Sequence, residues 1–239
     1  MTTFEKKVAL VTGVGRPGQI GHAVAGAFGR AGASLVIVDR DPGLVAARAA
    51  ELERAAIPVV GVTGDLTDAE VARGAVGGAT KEFGGLDIVV NVAGGFFGAG
   101  PLATITPEQV DRAFAVNFKT TFNLCQAAIP ALVERGGGTI VNFASIAAVR
   151  PAANLAAYAA AKSAVAGLTG ALAREFAAQG IRVNAVAPES VRTPENLAQM
   201  GETRYVEMDD LVRVVLFLAG DDSRPITGEV VPLAGARGR

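Results

Sequence analysis

The chain is poor in the residues that most often build metal centres and covalent frameworks. It has one cysteine, Cys125, one histidine, His22, two tyrosines and no tryptophan. A single cysteine excludes an internal disulfide and a thiolate metal cluster, and one histidine without an acidic cluster points away from a metal site. Charge of one sign is also lacking. With 22 basic and 23 acidic residues the net charge is −1, so the electrostatic basis for nucleic-acid binding is absent. No apolar run reaches the roughly 18 residues of a membrane span; the alanine-rich stretch Pro151–Ala178 is broken by Lys162, Arg174 and Glu175. The polar stretch Met1–Lys7 lacks the pattern of a secretion signal. These absences lead to the expectation of a cytoplasmic protein with no membrane and no nucleic-acid partner.

What is present is an apolar, glycine-rich chain of 239 residues, half of them hydrophobic, with 30 glycines. That length suits one α/β domain with a full core. Short apolar runs recur at Val8–Thr12, Ser34–Val38, Pro58–Val62, Leu86–Asn91, Thr139–Ala144, Arg182–Ala187 and Glu229–Leu233. They are continuous rather than alternating, as in strands covered on both faces. Helical patterns separate them at Ile20–Arg30, Leu44–Ala55, Asp68–Glu82, Pro107–Glu134, Ala156–Ala178 and Asp209–Leu218. Thr106-Pro107 and Asp41-Pro42 read as helix starts, and Gly32, Gly84 and Gly180 as helix stops. The alternation predicts a single-domain, doubly wound parallel sheet of about seven strands with helices on both faces.

The first strand runs into Thr12-Gly13-Val14-Gly15-Arg16-Pro17-Gly18-Gln19-Ile20-Gly21. Strand, clustered glycines, then a helix start form a dinucleotide-binding arrangement, because the backbone can approach a diphosphate that faces the helix N-terminus. Asp39 ends the second strand 18 residues after Gly21 (39 − 21), close to the roughly 20 expected of an acid that holds an adenosine ribose. A carboxylate there repels a 2′-phosphate, whereas the adjacent Arg40 could pair with one. NAD is the expected cofactor and NADP the alternative.

Tyr158 and Lys162 stand four apart in a helical pattern, which places them on one face. A free tyrosine, with a pKa near ~10, is a poor acid–base group at neutral pH, and bringing it near neutrality takes roughly 3 units, or about 4 kcal/mol. A nearby ammonium favours the phenolate. Ser145 lies 13 residues earlier (158 − 145), just past a strand at the carboxyl edge of the sheet, where ligands of open α/β sheets bind.

With these residues in place, the chain resembles the short-chain dehydrogenases/reductases, Rossmann-fold NAD(P)-dependent oxidoreductases, over almost its whole length. Thr12-Gly13, Gly18 and Ile20-Gly21 resemble the family's cofactor loop, Asp65-Leu66 its adenine contact, and Asn91-Val92-Ala93-Gly94 its Asn-Asn-Ala-Gly turn. Asn117, Ser145, Tyr158 and Lys162 match the catalytic tetrad, and Asn184–Pro188 with Thr193 resembles the segment that holds the nicotinamide carboxamide. The resemblance implies that Tyr158 transfers a proton, Ser145 binds the reacting oxygen, Lys162 holds the nicotinamide ribose and draws the phenol down, and Asn117 bends its helix and anchors a water. It implies interconversion of a secondary alcohol and a ketone. The alternatives are a 3-oxoacyl thioester reductase acting on acyl-carrier substrates and a catalytically silent nucleotide-binding regulator. A homotetramer is expected, built on alanine-rich second faces of the helices Pro107–Glu134 and Ala156–Ala178.

The sequence departs from the family in three places. The glycine loop is two residues longer than Thr-Gly-x-x-x-Gly-x-Gly, Val92 replaces an asparagine, and Glu189 replaces the glycine after Pro188. Glu189 is read either as structural or as a substrate contact. His22, Cys125 and Arg150 are read as ordinary, and Phe96-Phe97 as either pocket lining or core. The polar segment 194–208, interrupted by Gly201, is expected to be a short, mobile substrate lid of at most two helical turns over an open cleft.

Overall fold

The structure, a computed structural model, describes residues 3–235. Seven strands, β1 (Val8–Thr12), β2 (Ser34–Asp39), β3 (Val59–Thr63), β4 (Ile88–Asn91), β5 (Gly138–Phe143), β6 (Ile181–Pro188) and β7 (Val230–Leu233), form one sheet in the order β3-β2-β1-β4-β5-β6-β7. Every neighbouring pair is parallel. Between them run α1 (Ile20–Arg30), α2 (Pro42–Arg54), α3 (Ala69–Phe83), α4 (Pro107–Phe114), α5 (Thr120–Glu134), α6 (Ile146–Val149), α7 (Ala156–Glu175), α8 (Pro194–Met200) and α9 (Met208–Ala219). The chain winds outward from β1 to β3, then returns to place β4 on the other side of β1. That reversal opens a crevice at the carboxyl ends of β1 and β4.

Alternate residues of the central strands feed opposite faces. Leu35 and Ile37 join Phe28, Leu211 and Val215 in one core, while Val36 and Val38 join Leu10, Val89, Leu124 and Ile140 in the other. Strands β1, β2 and β4 are fully or almost fully buried, as their continuous apolar runs imply. The outer strands β3 and β7 depart from that reading, with part of each strand in contact with solvent because it has a neighbour on one side only.

Helix ends follow the local chemistry. Thr106 and Gln109 close a reciprocal capping box at α4, and Asp41 caps α2 by accepting from the Leu44 amide at 3.0 Å. Gly84 and Gly180 end their helical segments in the left-handed region. The expected helix Pro107–Glu134 is instead two helices joined by a π-helical turn over Ala115–Lys119. Residue spacing alone does not distinguish that inserted turn from a continuous helix. The segment 194–208 holds one helix of two turns, α8, of the expected length, and has contacts at both ends. Thr193 caps α8, Val191 pairs with Val206, and the buried Tyr205 donates its hydroxyl to the Gly201 carbonyl at 2.6 Å. Reading the segment as uniformly polar overlooked the apolar pair Tyr205-Val206 that plugs it into the core.

The amino edge of the sheet is locked by two charged side chains. Arg182 on β6 reaches Thr139 Oγ1 on β5 at 3.0 Å, the Gly220 and Leu218 carbonyls at 2.9 and 3.0 Å, and Ser223 Oγ at 2.9 Å. Asp87 accepts from the Val8 amide at 2.9 Å and pairs with Arg135 and Lys7. Removing the guanidinium strands several buried acceptors, and Arg182→Met should destabilise the protein by about 2–3 kcal/mol. Urea unfolding of the cofactor-free protein would show a lower midpoint at unchanged slope; an unchanged midpoint would contradict the assignment.

Candidate active site

The site is assembled from the exits of β1, β4, β5 and β6. Tyr158 and Lys162 stand one turn apart on α7. Lys162 is almost fully buried, 6 % exposed, and its Nζ donates to the Phe143 carbonyl at 2.7 Å. Burial pulls its pKa down to about 8. Ser145 caps α6, accepting from the Ala147 amide at 3.2 Å, and its hydroxyl neighbours the Tyr158 phenol. Burial pushes the Tyr158 phenol up, and the neighbouring Ser145 only partly opposes this. The Lys162 nitrogen is turned to the Phe143 carbonyl of β5, and burial dominates the phenol in the cofactor-free protein.

Asn117 sits in the π-helical turn, fully buried. Its Nδ2 donates to the Gly95 and Ala113 carbonyls at 2.9 and 3.0 Å, and its Oδ1 accepts from the Gly95 amide at 3.1 Å. The π turn places this amide opposite the loop leaving β4. A Cβ on Gly94 would lie 2.8 Å from Asn117 Oδ1 and 3.4 Å from Lys162 Nζ, so Asn117, Gly94 and Lys162 converge, and only glycine fits between them.

The loop after β1 forms a cradle of the kind a diphosphate needs. Gly13 has φ +68°, and a Cβ there would sit 3.1 Å from the Ala93 Cα; a Cβ on Gly21 would fall 2.1 Å from the Gly13 carbonyl. Thr12 Oγ1 accepts from the Ala93 amide at 2.9 Å, tying this loop to the turn after β4. Ile20 opens α1. Asp39 lies at the end of β2 with Oδ2 on the Gly15 amide at 2.8 Å and Oδ1 on the Arg40 amide at 2.8 Å; Arg40 itself is exposed. The longer loop carries ties that the sequence reading missed. Gly18 donates its amide to His22 Nδ1 at 3.2 Å, and His22 Nε2 lies 3.3 Å from Glu51. Arg16 pairs with Glu195 of α8 at 2.6 Å, and Pro194 packs on Gly18. The Gly18–His22 spacing of four across a helix start was the available signal.

The other candidate residues are placed as follows. Asp65 is exposed in the turn after β3, while Leu66 is buried with its carbonyl on Asn123 Nδ2 at 2.8 Å. Pro188 ends β6, and Thr193 accepts from the Asn196 amide at 3.1 Å. The Asn91 side chain points away from the crevice. It donates to Asn142 Oδ1 at 2.8 Å and meets Cys125 Sγ at 3.4 Å in the core, so only its backbone borders the cleft. Glu189 is structural, its carboxylate taking the Gly235 amide at 3.3 Å and facing Arg204 at 3.7 Å. The buried Cys125 thiol is pushed up to about 12 by desolvation, which fits an inert role. Arg150 is exposed. Among the described residues no group of three or more His, Cys, Asp or Glu side chains could hold a metal ion.

Lys162 makes a testable stability statement. Its ordinary pKa of 10.5 falls to about 8 in the fold. Between these values the unfolded chain binds the extra proton, so stability rises with pH across that window. Lys162→Met removes the buried charge and should be more stable than the parent below pH 8, with the gap closing toward pH 10.5. Urea melts of the cofactor-free proteins at several pH values check this; a gap that does not change with pH would refute it.

The sequence matches the short chain dehydrogenase family model over residues 7–202. It is 35% identical over 250 residues to a 4-formylbenzenesulfonate dehydrogenase of Comamonas testosteroni, covering 98% of both chains. It is 32% identical over 252 residues to a 7alpha-hydroxysteroid dehydrogenase of Bacteroides fragilis, covering 98% of this chain and 95% of the other. Among solved structures, an NAD+-bound xylitol dehydrogenase superposes with a TM-score of 0.90 at 28% identity, covering 98% of this chain and 99% of that one. A 7α-hydroxysteroid dehydrogenase with NADH and 7-oxo glycochenodeoxycholic acid gives 0.88 at 28% identity, covering 98% and 95%. The parallel sheet with its crevice at the β1/β4 reversal thus recurs in enzymes of one kind across the length of the chain, and this protein belongs to the short-chain dehydrogenase/reductase family of oxidoreductases acting on CH–OH groups.

Proposed function

We propose that the protein interconverts a secondary alcohol and its ketone with NAD as the cofactor and Tyr158 as the acid–base group. The observation that carries this reading is the convergence of Ser145, Tyr158, Lys162 and Asn117 beside a glycine cradle. When bound, the nicotinamide supplies or accepts the hydride. The cradle of Gly13, Gly18, Ile20 and Gly21 at the start of α1 holds the diphosphate, and Asp39 takes the adenosine ribose. Asp65-Leu66 borders the adenine, and Ala93, Gly94 and the backbone of Asn91 lie beside the nicotinamide ribose. Pro188 and Thr193 border the carboxamide. Lys162 turns from the Phe143 carbonyl toward the ribose hydroxyls, and its ammonium then stands close enough to lower the Tyr158 phenol. Tyr158 gives a proton to the carbonyl oxygen in reduction and takes it back in oxidation, while Ser145 donates to the same oxygen as charge develops there. Asn117 keeps the β4 exit loop and the lysine in register. The segment 194–208 roofs the cofactor through Pro194 and Glu195.

Two solved relatives hold NAD+ or NADH, and the Asp39 carboxylate disfavours a 2′-phosphate. Exposed apolar residues on α5, Phe122 and Val133, and the small exposed residues Ala160, Ser163 and Gly167 of α7 support assembly as a homotetramer. No helix among the described residues is long and apolar enough to cross a membrane, and a cytoplasmic location fits this reading.

Tyr158→Phe should cut kcat by about 100-fold or more, the scale of a lost general acid–base group, with NADH binding nearly unchanged. Steady-state turnover of secondary alcohols and NADH fluorescence titration check it, and a variant keeping a tenth of parental kcat would overturn the role. Asp39→Ser should move the NAD/NADP ratio of kcat/KM toward NADP by about tenfold or more, through loss of charge repulsion. Light scattering at micromolar concentration tests the tetramer, and a monomer would refute it.

A further inference from the structure

Resting on the reading above, a further inference concerns the kind of substrate this site selects. The tandem Phe96-Phe97 follows the Gly94-Gly95 turn at the exit of β4, and its two rings are treated differently. Phe97 is the anchor. It packs with Ala113, Ala157 and Ala161, beneath the Arg112 guanidinium 4.2 Å from its ring centre. Phe96 is displayed. It is 64% exposed, and its ring meets the Tyr158 ring edge-on, with centres 4.9 Å apart and planes at 64°. A large ring left mostly in water and touching the one tyrosine of the catalytic helix is apolar surface beside the reaction centre with room for a partner.

The loop that carries it is fixed to the catalytic helix. A Cβ on Gly98 would lie 2.9 Å from Ala157 Cβ, and the Gly100 amide donates to the Asn154 carbonyl at 2.7 Å. The neighbouring segments at this edge display further apolar side chains. Leu102 follows β4, Val149 ends α6 after β5, and Met200 ends α8 after β6, its sulfur 4.0 Å from Ser190 Oγ. The charged side chains of the last segment are engaged with one another. Glu189 faces Arg204, Arg192 pairs with Glu202 and Glu207, and Glu195 pairs with Arg16. This edge therefore offers the Phe96 ring beside Tyr158 and aliphatic side chains on the segments that leave β4, β5 and β6, while the acids of the last segment are engaged in ion pairs.

We propose that Phe96 is a specificity-determining residue, and that the site selects an uncharged alcohol or ketone whose reacting carbon is attached to a ring, over a linear chain of the same size. The exposed side of Phe96 takes the substrate ring while Tyr158 and Ser145 take the oxygen. No bond other than those of the proposed dehydrogenation changes.

The test uses the intact enzyme with its cofactor and two alcohols of equal carbon count, 1-phenylethanol and 2-octanol. The parent should favour the ring alcohol in kcat/KM by about tenfold, the scale of one aromatic pair. Phe96→Ala should bring that ratio to near one, chiefly through a higher KM for 1-phenylethanol, and Phe96→Tyr should keep it. The inference is overturned if the parent shows no ring preference, if Phe96→Ala lowers both alcohols equally, or if it lowers kcat at constant KM, which would mark Phe96 as a mere prop for Tyr158. Failure of the dehydrogenase reading looks different. There neither alcohol is turned over by an enzyme that still binds NADH, or Tyr158→Phe stays active, and this inference falls with it.

Discussion

The site is built at the carboxyl ends of the strands and on the helix packed against them, so it exists only while those ends stand level and that helix stays in register. A parallel ladder fixes neighbouring strands in register, and a chain of buried hydrogen bonds pins the catalytic helix to that ladder. Thr169 on α7 receives Asn142 Nδ2 of β5 at 2.9 Å, and Asn142 Oδ1 receives Asn91 of β4 at 2.8 Å. All three side chains are buried, so losing one partner strands the others in an apolar core. Tyr158 and Lys162 lie about three and two turns up the same helix from Thr169, and their position against Ser145 is inherited from this chain.

The fold was legible in the sequence because a parallel sheet covered on both faces writes itself as continuous apolar runs. Ser34–Val38 and Arg182–Ala187 were found within a residue of their observed ends. The site residues were legible from spacing on one helix and from glycine clusters. What was not legible depended on neighbours distant in sequence. The Asn91 side chain is bonded to Asn142, 51 positions later, and nothing near Asn91 in the sequence announces that partner. The π turn at Asn117 keeps helical spacing and leaves no mark in a hydrophobic pattern. Arg16 and Glu195 are 179 positions apart, and nothing local to either announces the pair. Tyr205-Val206 illustrates the same limit from the other side, as a buried pair in a polar stretch.

The ionisation of the site is set by burial before any cofactor arrives. Lys162 is drawn down and Tyr158 is pushed up, so the resting pair holds less charge than the two residue types would in water. Desolvation acts on both in the direction of neutrality. In the reaction proposed above, the positive charge that lowers the phenol would come with the bound cofactor or from Lys162 turned away from Phe143, which would couple acid–base competence to an occupied cleft.

The two edges of the sheet divide the labour of the molecule. Arg182 and Asp87 fasten the amino edge with charged, multiply bonded side chains. The carboxyl edge is made of loops and short helices tied by glycine contacts and exposed pairs. Surface pairs of that kind are each worth about 1 kcal/mol or less, whereas removing Arg182 or Asp87 at the other edge leaves several buried partners unpaired, which costs more. The exposed side chains around the cleft, such as Phe96, Leu102, Val149 and Met200, can therefore be exchanged at little thermodynamic risk. Such a chain can drift from one substrate to another through a series of folded intermediates, and its evolvability resides in the edge that contributes least to holding it together.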